Sequence, residues 1–511
     1  MNSEETNSLK DESLIDYYLS THKLSSFQFR VIIANSIIMV MDGIHMTLIS
    51  ATIFPLKSKF NITDFDLSLI SSIMFLLVGV GSFMSGKPVI NNHKKFYVKL
   101  SFGLLLISAC LMTFISHILV FAICRVVQGI SVGVAIPIGI TTLCETMPIA
   151  QRSNMIILTS ASFLVGACLN CILAYIILPE NLDGEDINKL FFVISIISLL
   201  SYVYMSKYFE ESPRSYFMIG KTEKGFAVME EIIQDSLSST DRETILQQIS
   251  KSNSSISSEI ASLFSDDYKK ITILLIFANC AHSMITYGCT FIMSITLKRI
   301  KEDHFTESTM TIPTNSTISF TDSNQFLGVD SDQKINSILI EQITVYLFSL
   351  PSMFIAGYLT ESKFFGRKYT MSLGYFCTLL FILIGFFNLE YFFYFFGIAG
   401  FFLTFSFQAS SSYSCEVYPS KIRNLGVGFI TLFVRIAGFA SQPISVVLTN
   451  INYLGMFYFA VVLCILGFSC SVGLPYDTKG MALDSIPILN SAQHQKMSEE
   501  KEVESTKESQ V

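Results

Sequence analysis

A dozen apolar stretches of about 20 residues follow one another along this chain, separated by short charged islands. They lie near 31–53, 67–86, 97–116, 118–140, 155–178, 190–207, 271–296, 338–360, 369–388, 391–413, 425–448 and 452–474. A helix needs about 20 apolar residues to cross the hydrocarbon layer of a bilayer. Charged residues make up 15% of the 511, whereas a soluble chain carries about 25%. The reading is an all-α polytopic membrane protein with twelve transmembrane helices.

Basic residues in the connections set the orientation. With the N-terminus inside, the cytoplasmic segments hold 25 Lys and Arg and the outer ones 7. Both termini are therefore expected in the cytoplasm, in a plasma membrane sooner than an intracellular vesicle membrane. The chain divides into an N-tail (1–29), a six-helix bundle (30–207) and a Ser-rich charged linker with amphipathic helices (208–270). A second six-helix bundle (271–474) follows, interrupted by a long outer loop (298–337), and then a C-tail (475–511). The first 29 residues are polar and acidic, so no cleavable signal peptide is expected. Asn315, in the sequon Asn315-Ser316-Thr317 of the outer loop, is the glycosylation candidate.

Eleven cysteines fall almost entirely inside apolar runs, and none lies in 298–337, so no outer disulfide framework is visible. Cys168 and Cys171 form a lone CxxC without a second pair or a nearby His, which gives no metal site. The net charge of −7 comes largely from the two acidic tails. No Walker loop and no hydrolase or transferase constellation appears. The chain is therefore not expected to be an enzyme, to need a cofactor or to bind nucleic acid, and transport would draw on an ion gradient.

The halves repeat. ETMPIAQR after the fourth run (Glu145 to Arg152) and EVYPSKIR after the tenth (Glu416 to Arg423) both read E-x-x-P-x-x-x-R, 271 residues apart. GKPVINNHKKF after the second run is echoed by GYLTESKFFGRK after the eighth. Two parallel six-helix repeats are the arrangement of major facilitator transporters. Further stretches carry the resemblance: DGIHMTLIS, CRVVQGISVGVAIPIG, EESPRSYFMIGK, SFQASSSYSCEVYPSKIRNLGVG, VRIAGFASQPI and LPYDTKG. In order and spacing the chain resembles the major facilitator superfamily, in the branch of synaptic-vesicle-2-related proteins, organic-ion carriers and aromatic-acid symporters. It departs from that pattern at Ile90 and His93, where the loop after the second run has an acid and a glycine in the family. It also lacks the paired glutamines and the tryptophan motif of sugar carriers.

Asp42 lies near the middle of the first run, where an ionised carboxylate costs roughly 2.5–3.5 kcal/mol. His45, three residues on, shares its helical face. A structural hydrogen bond to another helix would explain Asp42, but a mid-membrane acid usually faces a cavity, a partner charge or a proton path. Arg125, with Gln128 one turn on, needs an anion or carbonyls; the resemblance links such an arginine to proton movement. Asp42, His45 and Arg125 are the proton-coupling candidates. Arg435 sits ten residues into the eleventh run and is costly unless paired. The resemblance associates a basic residue there with organic-anion substrates, while a permanent bridge to Asp42 would make it structural. Gln128, His282, Tyr287, Gln408, Tyr413 and Gln442 are softer candidates for a substrate pocket, each equally explained by interhelical hydrogen bonding. Glu145, Arg152, Arg214, Glu361, Arg367, Glu416 and Arg423 sit at cytoplasmic helix ends and are read as gate salt bridges between the halves.

The resulting expectation is a monomeric alternating-access carrier that takes up a small organic anion, such as a monocarboxylic or vitamin acid, with H+. A facilitative carrier of an organic cation or a neutral solute such as a sugar is the alternative, and a non-transporting vesicle or receptor-type protein a third. The C-terminal ESQV fits the S-x-V pattern read by PDZ domains.

Overall fold

The computed structural model describes residues 14–21, 24–85, 93–178, 186–250, 263–265, 268–310, 331–362, 364–388, 391–418 and 420–478. Asn315, the ESQV terminus and the side chain of Arg423 lie outside the described residues.

The first half comprises α1 (Leu14–Thr21), α2 (Ser26–Ala51), α3 (Ile53–Phe60), α4 (Asp64–Ser85), α5 (Lys94–Thr113), α6 (Ile118–Thr146), α7 (Ile149–Ile177) and α8 (Asp186–Tyr208). Three short helices make the linker: α9 (Pro213–Met218), α10 (Thr222–Ile233) and α11 (Ser239–Ser250). The second half comprises α12 (Lys269–Met310), α13 (Ser331–Glu361), α14 (Gly366–Phe387), α15 (Phe392–Val417), α16 (Ser420–Ile451) and α17 (Gly455–Val472). Eleven of these contain a segment long and apolar enough to cross a membrane. The 26-residue α15 completes the set of twelve.

Local chemistry fixes the helix ends. Ser25 caps α2 in a reciprocal capping box with Gln28. The Gln28 Nε2 then donates to the Thr146 carbonyl at 2.7 Å, tying the start of α2 to the end of α6. That cap starts α2 five residues before the apolar run does. α12 likewise extends to Met310, into the expected outer loop, because KRIKEDHFTESTM contains good helix formers and no Pro or Gly.

Glycines bring backbones together inside the first half. A side chain at Gly43 would collide with the Phe163 carbonyl, and one at Gly166 with the Val40 carbonyl, so α2 and α7 press on each other from both sides. Gly133 and Gly129 do the same for α6 against Val78 and Met74 of α4. Small residues at such contacts are how helices pack where lipid supplies no hydrophobic drive. Between the halves, α4 packs on α16, α7 on α13 and α2 on α12.

The linker and the N-tail form a separate apolar cluster with the ends of α2 and α6. Ile15 and Leu19 of α1 join Phe226, Met229 and Ile233 of α10 against Phe27, Leu143 and Met147 of the first half.

Candidate functional site

Asp42 and Arg435 meet at the seam. α2 buries Asp42 at the middle of the first half, and α16 brings Arg435 opposite it, with Nη2 4.0 Å from Oδ2. Backbone proximity makes the approach: a Cβ on Gly79 of α4 would stand 3.0 Å from the Arg435 Cβ. Gly438, one turn beyond Arg435, would meet Phe75 at 3.0 Å, Ser283 Oγ at 3.2 Å and Tyr287 at 3.3 Å. The Ser283 hydroxyl of α12 donates to the Val434 carbonyl at 2.8 Å, holding α16 in place. Tyr287 lies within electrostatic reach of both Arg435 and Asp42, and its ring meets Phe75 edge-on at 4.4 Å.

The pair is loose and underspent. At 4.0 Å it is beyond hydrogen-bond length, and Asp42 Oδ1, Arg435 Nε and Arg435 Nη1 are buried without a partner among the described residues. Phe75 and Tyr287 pack beside the pair, at the Gly438 backbone.

Arg125 is elsewhere. Its Nη1 donates to the His45 carbonyl at 2.8 Å and to Gln128 Oε1 at 3.2 Å. Gln128 Nε2 in turn donates to Met112 Sδ at 3.2 Å. Arg125 and Gln128 thus brace α6 against α2 and α5 within the first half. The described contacts of Arg125 and Gln128 lie within the first half, and none of them is to Asp42 or Arg435. Both ring nitrogens of His45 are buried without a partner among the described residues.

Of the softer candidates, Tyr287 alone among those with described contacts reaches the pair. His282 stacks on Phe407 at 5.1 Å inside the second half and approaches Thr286 Oγ1 at 3.3 Å. Gln408 and Gln442 are buried, the latter with Oε1 unpartnered. Tyr413 lies in the last turns of α15, where its hydroxyl donates to the Tyr476 carbonyl at 3.0 Å.

The gate candidates form two similar clusters, one at the base of each half. Lys94 at the start of α5 lies 3.4 Å from Glu145, which also accepts from Ser212, while Glu211 accepts from the Lys95 N–H at 2.9 Å. In the second half Arg367 lies 2.5 Å from Glu416 and 3.1 Å from Glu361. Thr478 donates to Glu416 at 2.7 Å, and Asp477 accepts from the N–H groups of Arg367 and Lys368 at 3.1 and 3.0 Å. These described pairs each lie within one half. Arg152 and Arg214, at the same level, are engaged by contacts of their own. Lys94, Ser212, Asp477 and Thr478 were absent from the expected gate, although EESPR and LPYDTKG hold matching places after the two bundles.

Nearer the C-terminal end of α2, Gln342 makes a further contact across the seam. Gln342 of α13 donates to the Ser50 carbonyl of α2 at 3.5 Å and accepts from Cys171 of α7 at 3.7 Å. Among the described residues, α6 and α15 do not pack together extensively.

Two six-helix halves with matched charge clusters at their bases and a polar contact buried between them define a polytopic membrane carrier. The chain belongs to the Major Facilitator Superfamily, whose family profile matches residues 33–321 and 305–484. It is 25% identical over 469 residues to the Caenorhabditis elegans protein svop-1, covering 89% of this chain and 83% of that one. It is 21% identical over 487 residues to the synaptic vesicle 2-related protein of Xenopus laevis, covering 93% and 83%. These relatives place it in the synaptic-vesicle-2-related branch. The partially occluded inward-open xylose transporter XylE from E. coli shares the fold, with a TM-score of 0.66 at 16% identity, covering 90% of this chain and all of that one. The protein is a multi-pass membrane transporter and not an enzyme.

Proposed function

We propose that this transporter takes up a small organic monoanion together with a proton, by exchange of partners at Arg435. The observation that supports it is the Asp42–Arg435 contact, which crosses the seam at 4.0 Å with donors and an acceptor unspent. When the halves part, a substrate carboxylate takes the planar guanidinium fork, which suits a carboxylate better than a point charge would. Asp42 is then a buried carboxylate without its counter-charge, a state costing several kcal/mol, and it takes a proton. The loaded site carries the same net charge as the empty one, so reclosure moves no net charge through the membrane. A cation held by Asp42 would face the Arg435 guanidinium, which is why an anion is preferred over a cation or a neutral solute.

On this reading both termini lie in the cytoplasm and the protein in the plasma membrane, which the basic residues of the connections support for the termini; the vesicle names of its relatives make a vesicle membrane the competing location. Uptake into proteoliposomes of labelled carboxylic acids, organic cations and sugars tests the substrate class. Accumulation of an acid but of no cation is expected, and accumulation of cations alone would overturn the reading.

A further inference from the structure

The cytoplasmic cluster holds a contact that transport does not use. α1 buries Ile15 and Leu19 in the apolar cluster shared with α10 and the ends of α2 and α6. Beside them the half-buried Tyr18 donates its hydroxyl to Asp241 Oδ2 at 2.8 Å. Asp241 is the third residue of α11, and its carboxylate also accepts from Ser238 Oγ at 2.5 Å. Ser238 Oγ in return accepts the Asp241 N–H at 3.3 Å, closing the start of that helix. Asp235 adds a second negative field at Tyr18. The arginines of the cluster are committed elsewhere. Arg242 pairs with Glu230 at 2.5 Å and lies over the Phe226 ring at 5.0 Å. Arg30 pairs with Glu231 and lies over Phe27. The phenolic proton is what lets Tyr18 rest against a carboxylate.

We propose that Tyr18 is a phosphorylation site and that its modification releases α1 from α11. A tyrosine kinase transfers the γ-phosphoryl group of ATP to Tyr18 Oη. A bond from oxygen to phosphorus forms, the bond from the γ-phosphorus to the bridging oxygen breaks, and ADP and the phenolic proton leave. The donor is then gone, and a phosphate carrying about −1.5 to −2 charges faces Asp241 and Asp235. Both changes act in the same direction. α1 has eight residues, and so short a helix is marginal without packing. It therefore lifts often enough to present the tyrosine, and the phosphate keeps it from returning. Release uncovers the apolar faces of α10 and of the cytoplasmic ends of α2 and α6.

The test uses the full-length protein in proteoliposomes, treated with a purified tyrosine kinase and ATP. Peptide mapping locates the phosphate, and hydrogen exchange is followed over 14–21. The expected result is modification at Tyr18, with amide exchange of α1 faster by about tenfold or more. In Asp241→Asn the same modification should accelerate exchange less, since one of the two repelling charges is gone. Tyr18→Phe, treated identically, reports the loss of the hydrogen bond alone and should fall between the unmodified and modified protein. Modification confined to the neighbouring Tyr17 would overturn the proposal. So would exchange that is unchanged, or slowed because Arg242 has swung onto the phosphate.

Discussion

Arg435 of the second half and Asp42 of the first stand 4.0 Å apart, each with polar atoms left unpartnered. A buried ion pair with ideal geometry would be hard to part; this one is poised to change partners.

Removing one member leaves the other as an uncompensated buried charge, which costs about 3–5 kcal/mol. Arg435→Ala should lower the thermal midpoint in detergent, and the double variant Asp42→Asn/Arg435→Gln should recover most of the loss. Equal midpoints for the single and the double variant would show that the two residues do not interact.

The helix seams in the first half predict steric sensitivity. Gly43→Val and Gly133→Val each place side-chain atoms against backbone, at Phe163 and at Val78. Overpacking of this kind costs about 1–3 kcal/mol. Gly428, with nothing within 4 Å of its Cβ position, is the control, and Gly428→Ala should leave the midpoint unchanged.

The two base clusters differ in tightness. Arg367 engages two carboxylates, while Lys94 approaches one at 3.4 Å. Glu416→Gln should therefore destabilise more than Glu145→Gln, and Lys94→Arg should tighten the first cluster. Midpoints that rank the two glutamine variants the other way would contradict this.

Outside the membrane, Tyr18 gives a pH signature. Burial and the hydrogen bond to Asp241 push its phenol from 10.0 up to about 12. A raised pKa means that this contact contributes fully below the ordinary tyrosine value and is lost as pH climbs through about 12. Asp241 is held below the usual carboxylate range by Ser238 and then Tyr18, so its share is present above that range and lost as pH falls through its own lowered value. The difference in phenolate absorbance between the native chain and Tyr18→Phe should show one group titrating near 12; a difference centred on 10 would refute it.

The apolar runs and the E-x-x-P-x-x-x-R repeat made the membrane fold readable, because hydropathy reports membrane crossing directly. Asp42 and Arg435 stood out for the same reason: an ionisable group deep in an apolar run is conspicuous. Partners were harder. Of the two partners of Arg125, Gln128 stood one turn on in the sequence, but the His45 backbone carbonyl leaves no mark there. Tyr413 was a pocket candidate as an amphipathic residue within the tenth apolar run, whereas its hydroxyl bonds the Tyr476 backbone carbonyl, again a partner that leaves no mark in sequence. α1 and α3 are eight residues each and owe their helicity to packing rather than propensity.

The most direct measurement compares uptake of a labelled monocarboxylate into proteoliposomes under a pH gradient with uptake under a potassium-diffusion potential. Partner exchange at Arg435 predicts accumulation driven by the pH gradient, indifference to the potential and loss of that drive in Asp42→Asn. Uptake that ignores the pH gradient and follows the potential would contradict it.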